Sequence, residues 1–196
     1  MKYFGWILAV TALFSVAAPA YAHKLRSSGE TVDVAKSDVH VTPARDWNRL
    51  SGRPGKHAEV WTLDGEQLND VTFFADVPPG EPLVKDRNKK RDPLPKFTKS
   101  TLLVEIPDLL EGTYRTYKNV ASFDVLSIDP TRFLGRDGVI FTYRFVDDDQ
   151  LTRKGEARAA IIDGKLYMIT FDAPRLHYYE TVIGDFRQLA DSAILK

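Results

Sequence analysis

The sequence predicts an α+β fold, a mostly antiparallel sheet covered by helices. Three observations carry this reading. Strand-like runs follow one another without a helix between them from Val120 to Phe171. Asp-Gly pairs stand between such runs at Asp64-Gly65 and Asp163-Gly164, where glycine tolerates the positive φ a hairpin needs. Helical apolar spacing occurs in two segments, one in mid-chain and one at the end. Strands in adjacent runs, with one helix inserted and one terminal, give a sheet covered by helices.

The elements follow in order. Lys2, the uncharged run Phe4 to Ala18 and the small-x-small tripeptide Ala20-Tyr21-Ala22 have the form of a signal peptide cleaved after Ala22. Residues 1–22 are therefore expected to be a signal peptide, 23–37 a poorly ordered lead-in, and 38–196 a single domain. Val39 and Val41 alternate with polar neighbours as a short strand. Trp47 is an apolar anchor in the turn that follows. Glu59 to Thr62 and Asp70 to Val77 form a hairpin, with Val71, Phe73, Ala75 and Val77 on one face and Thr72, Phe74 and Asp76 on the other. Pro78 and Pro79 end it, since proline cannot donate to a sheet ladder. Pro107 and Asp108 suit a first helical turn, and Ile106, Leu109, Leu110, Tyr114 and Tyr117 continue a helix to about Lys118. Strands are expected at Val120–Ile128, Gly138–Val146, Glu156–Ile162 and Lys165–Phe171. The terminal helix carries Tyr179, Val182, Ile183, Phe186, Leu189, Ala190 and Ala193 at the 3.6-residue period.

Composition bounds function. With no cysteine among 196 residues, disulfides, thiolate metal sites, a cysteine nucleophile and cysteine lipidation are all excluded. Lysine and arginine together number 27, as do aspartate and glutamate. Such a balance gives no global field for nucleic acid or anionic lipid, and no later segment is apolar enough for a stable membrane anchor. The exception is Lys85 to Lys96, a proline-flanked basic loop that could contact an anion or partner. The mature chain is expected to be soluble and periplasmic or secreted.

Several motifs fail their spacing tests. Gly52 to Lys56 is too short for a phosphate loop and has His57 where Ser or Thr must follow the lysine. Neither Asp64 to Asp70 nor the Asp147-Asp148-Asp149 triplet matches a calcium loop. No nucleophile elbow or Ser-x-x-Lys motif occurs. Two pairs keep a metal reading. His57 and Glu59 are two apart on a strand, and His177 and Glu180 are three apart on a helix, so each pair shares a face. Should the hairpin lie beneath the terminal helix, the four would suit zinc or iron. Arg144, Arg153, Lys154, Glu156 and Arg158 cluster on adjacent strands, as cross-strand ion pairs or as a groove for an acidic ligand. Trp61, Arg144, Glu156, Arg158 and Tyr179 are the candidate ligand- or partner-binding residues. An apolar-ligand carrier would instead need a cavity lined by Trp61, Phe73, Phe141 and Tyr179.

Short phrases carry a resemblance over Val39 to Ala193. Asp46-Trp47-Asn48 precedes the aromatic hairpin, Glu105-Ile-Pro-Asp-Leu-Leu-Glu-Gly112 opens the helix, Asp163-Gly-Lys-Leu-Tyr167 joins two strands, and Asp185-Phe-Arg-Gln-Leu-Ala-Asp-Ser-Ala193 ends the last helix. Together they resemble the Mog1/PsbP-like α/β/α sandwich proteins. The Trp61–Gly65, Leu68-Asn69 and Lys165–Tyr167 phrases are also similar to small exported proteobacterial proteins. The resemblance implies an accessory or binding role without catalysis and without a cofactor. The partner implied is another envelope protein or a small ligand. Lipid tethering does not carry over, because this chain lacks the cysteine.

Overall fold

The computed structural model describes residues 23–87 and 90–196. The signal-peptide reading of residues 1–22 lies outside the described residues, as does Lys89 of the basic loop. Eleven strands and two α-helices are described. They are β1 (Lys24–Arg26), β2 (Val32–Asp33), β3 (Val39–Val41), β4 (Trp47–Arg49), β5 (Ala58–Thr62), β6 (Asp70–Val77), α1 (Ile106–Tyr117), β7 (Ser122–Phe133), β8 (Arg136–Val146), β9 (Thr152–Ile162), β10 (Lys165–Pro174), α2 (Tyr178–Asp191) and β11 (Ile194–Leu195). An eight-stranded, wholly antiparallel sheet runs β1-β4-β5-β6-β10-β9-β8-β7. A three-stranded sheet, β11-β3-β2, stands apart from it.

The large sheet is buried on both faces, which makes an α/β/α sandwich. One core joins α2 and the small sheet to Trp61, Val71, Phe73, Ile169 and Phe171. The other joins α1 and the irregular segment carrying Leu83, Leu94 and Phe97 to Phe74, Phe141, Tyr143 and Phe145. Helix α1 buries Ile106, Leu109, Leu110 and Tyr114 as its spacing predicts, whereas Tyr117 is half-buried. The Glu105 carboxylate accepts from the Leu102 N–H at 2.8 Å and satisfies a donor just before the helix.

Four features depart from expectation. Residues 23–37 are not a loose lead-in: β1 pairs with β4, β2 pairs with β3, and Val32, Val34 and Ala35 are buried. Trp47 belongs to a strand rather than a turn. Val77 joins the α1-side core while Phe73 and Ala75 face α2, so the alternation breaks between them. The cause is a bulge: the register with β10 slips between Leu166 and Met168, opposite Asp76, which has φ +58°. Finally, β7 runs through Pro130 to Phe133. Proline is tolerated there because β7 is an edge strand.

The two Asp-Gly pairs differ. Asp163 (φ +51°) and Gly164 (φ +75°) form a two-residue turn between Ile162 and Lys165. Asp64-Gly65 instead opens a longer connection. There Asn69 accepts the Leu63 N–H at 2.8 Å and donates to the Asp64 carboxylate at 2.7 Å, which ties the aspartate into the loop.

One glycine positions the site described next. Gly155 of β9 lies opposite Tyr143 on one side and Asp172 on the other. A Cβ there would come within 2.7 Å of the Tyr143 hydroxyl oxygen and nearer still to its ring. The bare backbone lets the ring lie across β9 and reach β10. Gly155→Ala is expected to displace the ring and to lower stability by about 1–3 kcal/mol, read from chemical denaturation.

Candidate functional site

The site forms on the α1 side of the sheet, where one row of residues crosses four strands. Register places Tyr143 (β8), Gly155 (β9), Asp172 (β10) and Asp70 (β6) side by side. Helix α1 lies above the row and contributes Tyr114 and, just past its end, Lys118. These two are four residues apart and therefore share a helix face. Asp172 is the hub and only 2% exposed. Its Oδ1 accepts from the Tyr143 hydroxyl at 2.6 Å. Its Oδ2 accepts from the Tyr114 hydroxyl at 2.5 Å and the Lys118 Nζ at 2.9 Å. Lys118 Nζ also lies 4.3 Å from the Tyr114 ring centre, a cation–π contact.

Asp70 is left over. Its Oδ2 lies 3.5 Å from Lys118 Nζ, a weak contact for a cation already taken by Asp172. Its Oδ1 is buried without a hydrogen-bond partner, and the residue is 9% exposed. Burial, then the neighbouring Asp172 and Glu66 charges, outweigh Lys118 and push the Asp70 carboxyl up to about 7. Burial and the Asp172 charge hold both tyrosine hydroxyls well above their ordinary range. Asp172 and Asp70 outweigh the burial of Lys118 and keep it an ammonium. Near neutral pH, Asp70 is the member of this group that changes charge.

Two openings meet at Asp70 and Lys118. A cavity of about 430 Å³ is walled by Leu50, Val60, Phe74, Val84, Tyr114 and Tyr117, with Thr72 and Asp70 on its floor and Glu66 at its rim. A smaller one, of about 200 Å³, reaches Asp70 from the side of Asp147, Asp148 and Arg153.

The candidates read from sequence lie elsewhere. Trp61 is fully buried, edge-on to Phe73, and donates through Nε1 to the Glu59 carboxylate at 2.8 Å. Glu59 is also buried, with Arg26 at 3.6 Å and Arg49 at 3.5 Å, so it ties β1 and β4 to β5. Glu156 takes a forked contact from Arg187 of α2, the shortest arm 2.6 Å. Arg158 pairs with Asp191, also of α2. These contacts clamp the helix to the sheet. Tyr179 is buried beneath Lys154, and Arg144 is exposed and paired with Asp124 at 3.0 Å.

The four metal candidates do not converge. His177 is exposed at the start of α2, and Glu180 is exposed and pairs with Lys154 at 3.3 Å. His57 precedes β5 and is half-buried; burial, then Lys56, lowers its pKa. Among the described residues, the grouping with metal-ligand spacing is Asp147, Asp148 and Asp149. Arg153 pairs with two of the three, Asp147 at 2.9 Å and Asp149 at 2.8 Å. His57 does meet the basic loop, in a cavity of about 540 Å³ that Lys56, Lys85 and Lys96 also line. The carrier cavity fails as drawn, since Trp61, Phe73 and Tyr179 face α2 whereas Phe141 faces α1.

No protein-family model matches the chain, and no curated protein matches its sequence. Solved structures do match. Cyanobacterial PsbP (CyanoP) from Synechocystis sp. PCC 6803 superposes with a TM-score of 0.56 at 13% identity, over 96% of this chain and 99% of that one. The Saccharomyces cerevisiae Ran-binding protein Mog1p gives 0.48 at 8%, over 90% and 96%. LpqN, involved in cell envelope biogenesis of Mycobacterium tuberculosis, gives 0.35 at 8%, over 92% and 87%. The fold is the Mog1/PsbP-like one. Among the described residues, no helix is long and apolar enough to cross a membrane.

Proposed function

We propose that this chain is an exported accessory protein of the cell envelope that binds a small ligand in the cavity beneath α1 and performs no chemistry on it. The observation that carries the reading is the cavity itself. Its volume of about 430 Å³ lies in the range of small-molecule sites, roughly 300–1,000 Å³. Apolar and aromatic walls with a few convergent polar groups are the usual composition of such sites. Asp70, which borders the cavity and has one oxygen without a hydrogen-bond partner, supplies a polar anchor. The tyrosines and the lysine around it are held in fixed charge states. The tyrosines remain phenols and Lys118 remains an ammonium, all committed to Asp172, so none is a base or nucleophile near neutral pH. Export rests on the first 22 residues, with Lys2, the apolar run and Ala20-Tyr21-Ala22.

A ligand screen by amide chemical shifts tests this reading. Ligands are expected to move a contiguous set around Val60, Thr72, Phe74, Thr113 and Tyr117. The Val60→Phe variant, which fills the cavity from β5, is expected to lose at least tenfold in affinity with its fold intact. Shifts scattered outside the cavity, or affinities unmoved by Val60→Phe, would count against it.

A further inference from the structure

We propose that the ligand of this cavity is an organic cation, an ammonium or guanidinium group on an apolar body, whose charge docks on Asp70. This inference rests on the binding reading above and adds the chemical class. The argument is one of charge count and placement. Asp70 and Asp172 stand directly opposite on β6 and β10, with the single ammonium of Lys118 serving both. Asp172 takes that ammonium at 2.9 Å together with both tyrosine hydroxyls, and Asp70 keeps only a contact at 3.5 Å. One buried carboxylate oxygen thus has no donor, and Asp70 borders the cavity. A buried carboxylate without partners is costly, and a cation supplies both charge and donors.

The remaining lining agrees. Glu66 at the rim adds a second negative charge. Arg53 adds a positive charge to the lining and is held by donating to the backbone carbonyls of Ala35, Lys56 and Ala58. Phe74 presents aromatic surface suited to an apolar body, and the Tyr117 ring already carries a cation, the Arg87 guanidinium 4.2 Å from its centre. An anionic ligand would face Asp70 and Glu66 and find Lys118 already paired with Asp172, with Arg53 as the opposing cation of the lining.

Binding is coupled to a proton. The groups around Asp70 are Lys118 and Tyr114 from the α1 region, Asp172 from β10, Tyr143 from β8 and Glu66 from the β5–β6 connection. Arg153, Asp147 and Asp148 stand across the smaller cavity, and Arg53 and His23, the latter with its α-ammonium once residues 1–22 are removed, line the larger. With its carboxyl titrating at about 7, unliganded Asp70 carries a proton below neutrality. A docking cation displaces that proton to solvent and leaves a carboxylate–ammonium pair. Affinity is therefore expected to fall about tenfold per pH unit below about 7 and to level off above it.

The test uses the mature chain and three probes that share a phenyl body: phenethylammonium, 2-phenylethanol and 3-phenylpropionate. Amide chemical shifts report the site and calorimetry in two buffers reports the proton. Phenethylammonium is expected to shift Asp70, Thr72, Phe74 and Tyr117, to bind at least tenfold tighter than the alcohol, and to release a proton at pH 6. Asp70→Asn is expected to abolish that preference and the proton release. If the alcohol or the propionate binds in the cavity as well as the amine, the binding reading stands and the cation inference falls. If no probe shifts the cavity residues, both fall. An amine that binds elsewhere, or binds the Asp70→Asn variant equally, also overturns the inference.

Discussion

Asp172→Ala is expected to lower stability by about 3–5 kcal/mol, the range found when one partner of a buried ion pair is removed. Asp172 is the shared acceptor of the Tyr114 and Tyr143 hydroxyls and the near partner of Lys118. Alanine leaves two buried phenols without that acceptor and an ammonium whose remaining carboxylate lies 3.5 Å away. Each orphaned buried polar group costs about 1–3 kcal/mol. Part of the loss is offset within the site: without the Asp172 charge, Asp70 ionises more readily beside Lys118. The variant should therefore also titrate Asp70 at lower pH than the wild type does. Tyr143→Phe removes one donor and is expected to cost about 1 kcal/mol. Urea denaturation of the three proteins checks the order. An Asp172→Ala loss no larger than that of Tyr143→Phe would mean that the hub does not organise the site.

That hub was hard to read from the sequence, for physical reasons. The fold class came through because the two helices are long enough to repeat their spacing, and because Asp163-Gly164 meets a specific dihedral demand. Strands of two or three residues, such as β1, β2 and β4, are too short to show a period. They acquire their identity only from the strands they pair with. Pro130 interrupted the reading of β7 because the sequence does not say that this strand lies at an edge.

The candidate site is a more severe case of the same limit. Asp70 and Asp172 each sit at an end of a strand-like run, where an acidic residue reads as solvent-facing. Their burial follows from the β6–β10 pairing, which joins residues about a hundred positions apart in sequence. Tyr114 fitted the apolar stripe of α1, and the helical spacing carries no information about where its hydroxyl points. One signal was present: Gly155 interrupts a strand run, and glycine inside a strand often marks a close approach. Glu59 shows the converse. Its two-residue spacing placed it on one face with His57, but only the pairing of β4 and β1 beside β5 supplies Arg49 and Arg26 and turns a candidate ligand into a buried tie.

Asp70→Asn is expected to stabilise the protein at pH 8 by about 2–4 kcal/mol and to leave it unchanged at pH 3. The sign follows from the two states of the chain. Unfolded, Asp70 loses its proton near its ordinary value of 3.8; folded, it holds the proton up to about 7. Between these values the folded chain binds more protons than the unfolded one, so stability declines as pH rises. The full penalty is present above 7, where a carboxylate is buried with one weak contact. Asparagine keeps the shape of the neutral acid and removes the charge. The gap between the two proteins should open through pH 4 to 7, visible as a melting-temperature difference of roughly 5–15 °C at pH 8. Equal melting temperatures at pH 8 would mean that solvent or Lys118 satisfies Asp70 after all. A residue kept at a cost to stability is what a binding site for a cation requires, because the ligand supplies the missing charge and stabilises only the chain that can ionise there. Phenethylammonium should accordingly raise the melting temperature of the wild type at pH 8 and leave that of Asp70→Asn where it was.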